Sequence, residues 1–462
     1  MYPLNNFDVL MSMSNNETGM ILNTFTLIEN SNNEDLSVYI KRNILKNIDY
    51  SIPHSCKIVG GFFKKENPYF VKDLKFNIDN HIFCHDIKNV ESIKDYIEDI
   101  YNKPIDLTKP LWEVHIIHDY DDDGNVAIIR RIHHVAAEGE LNSKMMNIIF
   151  DNFIPFTKKV KNTKINFINC AVSNIKRYIL MYFYFIKGFL LKTNKGKNHD
   201  LTDIVFKLEN IDLNNQKKIH HVKYLSYEKV KEISKKSKYS FTDICMYIYS
   251  KAYSDWLIKQ GIEIPHSANS VVPMSTSSTN KREYGNNVMG SFVNIYLNEE
   301  NNEIRIQKIH KSMENAITIK KTSPFVYYSY GIQNYPKNDG VFKVIDFVNK
   351  TNWNNRKKIP NKQEKYTIYG ASISAAKLKK TNKEYYLEKN KVLQVYTFPP
   401  IVTTKYSLGI NAMFRVDQEE LYCSITAFDY ILKNPDSFAE SLDNALTSLY
   451  DIIEVKNWIR KI

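Results

Sequence analysis

Short apolar runs set in pairs, each pair parted by acidic residues, are the plainest regularity of the chain. "LWEVHIIHDY" (111–120) and "VAIIRRIHH" (126–134) are rich in aliphatic and β-branched residues, and Asp121-Asp122-Asp123-Gly124-Asn125 lies between them. That pattern predicts a β-hairpin with an acidic, solvated turn. "YSLGINAMFRVDQEELYCSITAFDY" (406–430) repeats it: strand, acidic turn, strand. Helical spacing follows each hairpin. After the first comes "LNSKMMNIIFDNF" (141–153), and after the second "NPDSFAESLDNALTSLYDII", with Phe438, Leu442, Leu446, Leu449 and Ile453 on one face.

Between the hairpins, "SFTDICMYIYSKAYSDWLIKQG" (240–261) predicts a helix capped by Ser240 or Thr242 and ended by Gly261, with Ile244, Ile248 and Tyr253 in register. "NSVVPMS" and "VMGSFVNIYLN" read as strands, the first of them buried. The chain is thus a mixed α/β (α+β) protein with an N-terminal lobe over 1–155, a basic aromatic linker over 156–220 and a C-terminal lobe over 221–462. Because each half carries a hairpin leading into a helix, the pattern suggests a distant internal duplication, two similar lobes with a cleft between them.

Composition adjusts this picture at three points. Hydrophobic residues at 43% and charged residues at 25% describe a globular chain rather than a disordered one. The net charge of +12 suits an anionic partner, although Asn and Lys are heavily used even in loops, so composition alone accounts for part of it. Cys56, Cys84, Cys170, Cys245 and Cys423 are scattered without a CxxC pair, which points to neither a zinc knuckle nor a disulfide framework and favours a reducing, intracellular compartment. "MYPLNNFDVLMSMSNNETGM" does not read as a signal peptide. In "SNIKRYILMYFYFIKGFLLK" (173–192) the uninterrupted apolar run from Tyr178 to Ile186 is nine residues, short of the roughly 20 a spanning helix needs. Flanked by Lys176, Arg177, Lys187 and Lys192, it reads either as a membrane-interface helix or as a segment packed on the protein itself.

The candidate chemistry lies in "RRIHHVAAEGEL" (130–141), where His133 and His134 end a strand and Glu138 and Gly139 follow. On its own the pair reads either as acid/base machinery or as a polar strand end. An imidazole titrates near neutral pH, which suits it to take a proton from a hydroxyl or amine that then attacks an activated carbonyl. Glu138 could orient the loop by pairing with Arg130 or Arg131, and Gly139 allows close approach of substrate or backbone. GxSxG, HEXXH, GxGxxG and P-loop motifs are absent, as is any nucleic-acid-reading motif, so the expectation is no metal and no nucleic acid.

"PIDLTKPLWEVHII" (104–117), followed at the right distance by "HHVAAEG" (133–139), resembles the wax ester synthase/diacylglycerol acyltransferase family, whose pattern is a PLW segment and then HHxxxDG. "PYFVKDLKFNIDNHIFCHDI", the 240–261 helix, "YGNNVMGSFVNIYL" (284–297) and the closing hairpin extend the resemblance over most of 40–155 and 220–455. It implies two chloramphenicol-acetyltransferase-like lobes around a tunnel, with acyl-CoA as co-substrate, a long-chain alcohol or diacylglycerol as acceptor, and no prosthetic group. His134 would be the general base, His133 would support geometry, and Gly139 matches the motif. Glu138 replaces the family's Asp and lengthens that side chain by a methylene. Trp112 would line the lobe or the substrate, and Asn286 would lie near the substrate. "TNWNNRKKIP" (351–360) is a poor match to a later family segment. The resemblance also implies a place at the surface of the endoplasmic reticulum membrane or lipid droplets, or else in the cytoplasm. A sterol, short alcohol or amine acceptor, or a non-catalytic lipid-binding relative, are the alternatives.

Overall fold

The larger of two main sheets has six strands in the order β12-β13-β2-β7-β6-β5: Tyr386–Leu387, Asn390–Phe398, Ile21–Ile28, Val126–His133, Trp112–Ile117 and Ile82–His85. The smaller runs β11-β14-β15-β8, with β11 Ile373–Lys377, β14 Asn411–Asp417, β15 Glu420–Phe428 and β8 Lys218–Leu225. Two further sets complete the strands among the described residues: β1 (Tyr2–Pro3), β4 (Tyr69–Lys72) and β3 (Cys56–Val59) in one, β9 (Asn269–Ser275) with β10 (Val288–Asn294) in the other. Six helices matter here: α1 Leu36–Asn47, α2 Ile93–Asn102, α3 Tyr227–Lys236, α4 Phe241–Lys259, α5 Asn302–Thr322 and α6 Pro435–Ile459. This computed structural model describes residues 2–4, 20–30, 34–60, 69–85, 93–136, 147–151, 153, 217–262, 264, 269–275, 288–322, 373–377, 384–401, 410–417 and 419–459.

Both predicted hairpins form, β6–β7 and β14–β15. The acidic turn of the first closes because Asp121 accepts the amides of Gly124 (on its carbonyl, 2.9 Å) and Asn125 (on its carboxylate, 3.0 Å), and Gly124 takes a φ of 73° that a side chain would oppose. The helix over 240–261 also forms. Its cap is Ser240, in a reciprocal capping box with Asp243, and Gly261 follows its end at a φ of 65°. All five residues assigned to one face of α6 are buried against α4 and the smaller sheet. Of the helical pattern over 141–153, a single 3-10 turn at Asn147–Ile149 is described, and 137–146 lie outside the described residues. So do the segment 173–192 and the stretch 351–360.

The suggested duplication appears in the strand pairings. In one sheet β5 runs parallel to β6, β6 antiparallel to β7, and β7 antiparallel to β2; in the other β11, β14, β15 and β8 stand in the same relation. The registers agree, since His133 faces Ile21 at the start of β2 and Phe428 faces Lys218 at the start of β8. Beyond each strand the chain turns alike. His134 donates its amide to Met20 O (2.6 Å) and Asp429 its amide to Lys217 O (3.0 Å), while Ala136 and Ile431 each return to the residue that ends the strand. His133 and His134 therefore correspond to Phe428 and Asp429, so only one lobe carries the histidines.

The two lobes are not successive blocks of sequence. β12 and β13, from the part of the chain assigned above to the second lobe, complete the sheet of the first, because β13 pairs antiparallel with β2 from Val392↔Ile28 to Phe398↔Asn23. Both faces of the larger sheet are covered: β6 and β7 are buried at every position. Leu36, Ile40 and Ile44 of α1 pack on one side, and Ile97, Ile100 and Tyr101 of α2 on the other.

Candidate active site

The histidine pair is placed by the strand ahead of it and by the PLW segment beside it. His133, the last residue of β7, donates its amide to Leu111 O (3.0 Å). Its imidazole is only 2% exposed, and Nδ1 accepts the amide of Val135 at 3.2 Å. Burial, helped by neighbouring His134, lowers its pKa to about 3. His133 is therefore a neutral ring, protonated on Nε2, that shapes the turn. His134 is half-buried and follows the end of the strand. Of the two, it is the less enclosed.

Trp112 is enclosed, not displayed. His81 stacks on its indole at 4.3 Å, His54 and Phe76 flank it, and Trp112 Nε1 donates to His54 O at 3.1 Å. His81 Nδ1 in turn donates to the Trp112 carbonyl (2.8 Å). Burial first, and then the charges of His81 and Arg130, lower His54 to about 3. This aromatic box holds the start of β6, and so the carbonyl of Leu111 that receives His133.

Of the two arginines offered as partners for Glu138, Arg131 is engaged elsewhere. It is 1% exposed, donates to Glu113 Oε2 at 2.7 Å across the β6–β7 ladder, and bonds the carbonyl of Lys103. Burial would raise the Glu113 carboxyl, but hydrogen bonding from His115 and the charge of Arg131 outweigh it and hold it below its ordinary value. A directional chain extends from this pair: Tyr96 donates to His85 Nδ1, His85 Nε2 to His115 Nδ1 (3.0 Å), and His115 Nε2 faces Glu113 at 3.5 Å. Arg130 points to the opposite face, where it donates to Thr26 Oγ1 (3.2 Å) and lies over the Phe150 ring. Burial, then the charge of Arg415, lowers its pKa to about 9.

The lobes meet next to the histidines. Asn23, two residues along β2 from the partner of His133, bonds His220 Nε2 of β8 (3.3 Å), and His220 Nδ1 donates to Glu98 of α2 (2.9 Å). Glu98 also accepts the His220 amide, and Asn102 bonds both the amide and the carbonyl of Lys218 (2.8 and 2.9 Å). Side chains of α2 thereby satisfy the edge of the smaller sheet. Glu138, Gly139 and Asn286 lie outside the described residues.

Residues 4–160 match the wax ester synthase/diacylglycerol acyltransferase catalytic domain. The resemblance to that family holds. Wax ester synthase/diacylglycerol acyltransferase 9 of Arabidopsis thaliana is 39% identical over 70 residues, 14% of this chain and 14% of the relative. Wax ester synthase/diacylglycerol acyltransferase 1 of the same plant is 31% identical over 91 residues, 18% of this chain and 19% of the relative. The chain thus matches less than a fifth of the length of these curated relatives. The fold extends much further. The wax ester synthase/diacylglycerol acyltransferase from Marinobacter aquaeolei VT8 superposes with a TM-score of 0.62 over 98% of this chain and 100% of its own, at 12% identity. The epimerization domain from the third module of tyrocidine synthetase B gives 0.58 over 98% and 97%, at 11% identity. The architecture is the mixed α/β, two-lobed chloramphenicol-acetyltransferase-like one that the motifs imply.

Three parts of the site were not read from the sequence: the His54–Trp112–His81 box, the Glu113–Arg131 pair with its histidine chain, and the His220–Glu98 contact between lobes. Charged residues in the middle of "WEVHII" and "VAIIRRIHH" were the available signal, because a strand buried on both faces has to pair them.

Proposed function

We propose that the chain is an acyl-CoA-dependent O-acyltransferase that esterifies a long-chain alcohol or diacylglycerol, with His134 as general base. The carrying observation is the unequal treatment of two adjacent histidines within a segment that matches the family's catalytic domain. His133 is held neutral by burial, its Nδ1 accepting the Val135 amide, while His134 stands half-buried beside the junction of the lobes. In this reading the imidazole of His134 removes the acceptor's hydroxyl proton, and the alkoxide oxygen forms a bond to the thioester carbonyl carbon. The carbon–sulfur bond then breaks, and CoA leaves with the proton from the imidazolium. Acyl-CoA and acceptor enter a tunnel between the lobes, and the surplus of positive charge favours CoA phosphates and anionic lipid headgroups. The aromatic segment 173–192 brings the tunnel mouth to a bilayer or lipid droplet.

The test is incubation of purified protein with radiolabelled palmitoyl-CoA and either hexadecanol or diacylglycerol, followed by lipid separation. Labelled ester from the wild type and its loss in His134→Ala support the proposal, and the preferred acceptor names the reaction. Absence of ester with both acceptors from folded protein overturns it.

A further inference from the structure

At the end of β6 remote from the histidine pair, three side chains of different chemistry converge. Asp35 is the N-cap of α1, Cys84 lies in β5, and His118 is the first residue after β6. One ligating atom from each lies within 4.8 Å of the other two. We propose that Asp35, Cys84 and His118 form a zinc-binding site, completed by water, that fastens the edge of the larger sheet.

The donor set points to zinc. A thiolate, an imidazole nitrogen and a carboxylate oxygen suit this borderline-soft cation, whereas magnesium and calcium call for oxygen ligands throughout. The donors are also available. Cys84 is exposed while Cys56, Cys245 and Cys423 are buried, and the His118 ring is partly exposed. His118 Nε2 already stands 3.9 Å from Asp35 Oδ1. Asp35 caps α1 by accepting the Ser37 amide on that oxygen (3.0 Å), and a carboxylate has capacity for a cation as well. The nearby cation, Lys41, is held by Asp79 at 2.7 Å.

Position assigns the role. β6 begins at Trp112, beside the histidine motif, and His118 follows its other end, so a strand of six residues, roughly 20 Å, separates the cluster from the candidate chemistry. The cluster joins the start of α1, the four-residue edge strand β5 and the end of β6. A metal there ties together segments distant in sequence, and its binding energy adds to folding.

The test uses the full chain, stripped with chelator and titrated with Co²⁺ as a spectroscopic substitute, then with Zn²⁺. The expected result is one equivalent of Co²⁺ with a thiolate-to-metal charge-transfer band. Cys84→Ser abolishes the band, His118→Ala weakens binding about tenfold or more, and Cys170→Ser leaves both unchanged. One equivalent of Zn²⁺ raises the Tm of the wild type and leaves that of Cys84→Ser where it was. A spectrum without the charge-transfer band, a band that survives Cys84→Ser, or equal Tm shifts in the two proteins overturns the proposal.

Discussion

At the scale of single residues, two neighbouring histidines behave as different kinds of group. His133 supplies an acceptor to the Val135 amide, so His133→Ala leaves that buried donor unmatched and lowers stability by about 1–3 kcal/mol, read as a drop in Tm. His134→Ala leaves Tm in place and lowers ester formation by about 10²–10⁴-fold, the usual contribution of a positioned base. Equal Tm losses in the two variants would remove the distinction. Acid has a related effect. His54 and His133 titrate in the fold at about 3 and His85 at about 4, all below the ordinary 6.5. As pH falls below 6.5 the unfolded chain takes up protons that the buried His54 and His133 and the half-buried His85 refuse, so stability falls toward pH 4 and is unaffected by them above 7. Each of the two buried rings steepens the slope by at most about 1.4 kcal/mol per pH unit, and the half-exposed His85 by less. A Tm as high at pH 5 as at pH 7.5 contradicts this. The pair itself was legible because a motif is local. Its division of labour was not, since that depends on Leu111 and Val135 lying against it.

Secondary-structure elements were read best where their signals are contiguous. The acidic turn, the capping box at Ser240 and the stripe on α6 each lie within one segment, and each formed as its residue pattern dictates. Ser240→Ala removes one half of the capping box and is expected to lower stability by about 1 kcal/mol, measured by urea denaturation. What escaped was the content of the strands. β6 and β7 looked like apolar runs with stray charges, yet both faces are covered, so Glu113, Arg131 and His115 must satisfy one another inside. Glu113→Ala strands the Arg131 guanidinium in a buried site and is expected to cost about 3–5 kcal/mol. A shift in the urea midpoint corresponding to less than 1 kcal/mol would mean that water reaches the pair.

The whole molecule shows the limits of reading along the chain. Equivalent strand pairings in two sheets were foreshadowed by two hairpins of similar pattern. The transfer of β13 into the other lobe's sheet was invisible, because nothing in "NKVLQVYTF" says which edge it will meet. The same holds for the grip of α2 on β8. Asn102→Ala frees both backbone groups of Lys218 from their partner and is expected to reduce stability by about 1–3 kcal/mol. Unfolding followed at a probe in each lobe would then cease to coincide.

β13 also bears on the order in which the protein is made. β2 and β7 leave the ribosome early, but the strand that covers the free edge of β2 is synthesised more than 250 residues after β7 ends. At ordinary elongation rates that interval lasts on the order of ten seconds to a minute. Throughout it the nascent chain carries an open, apolar sheet edge, the form most prone to pair with another chain. Cellular yield should therefore depend on chaperone supply during translation more than on the stability of the finished molecule.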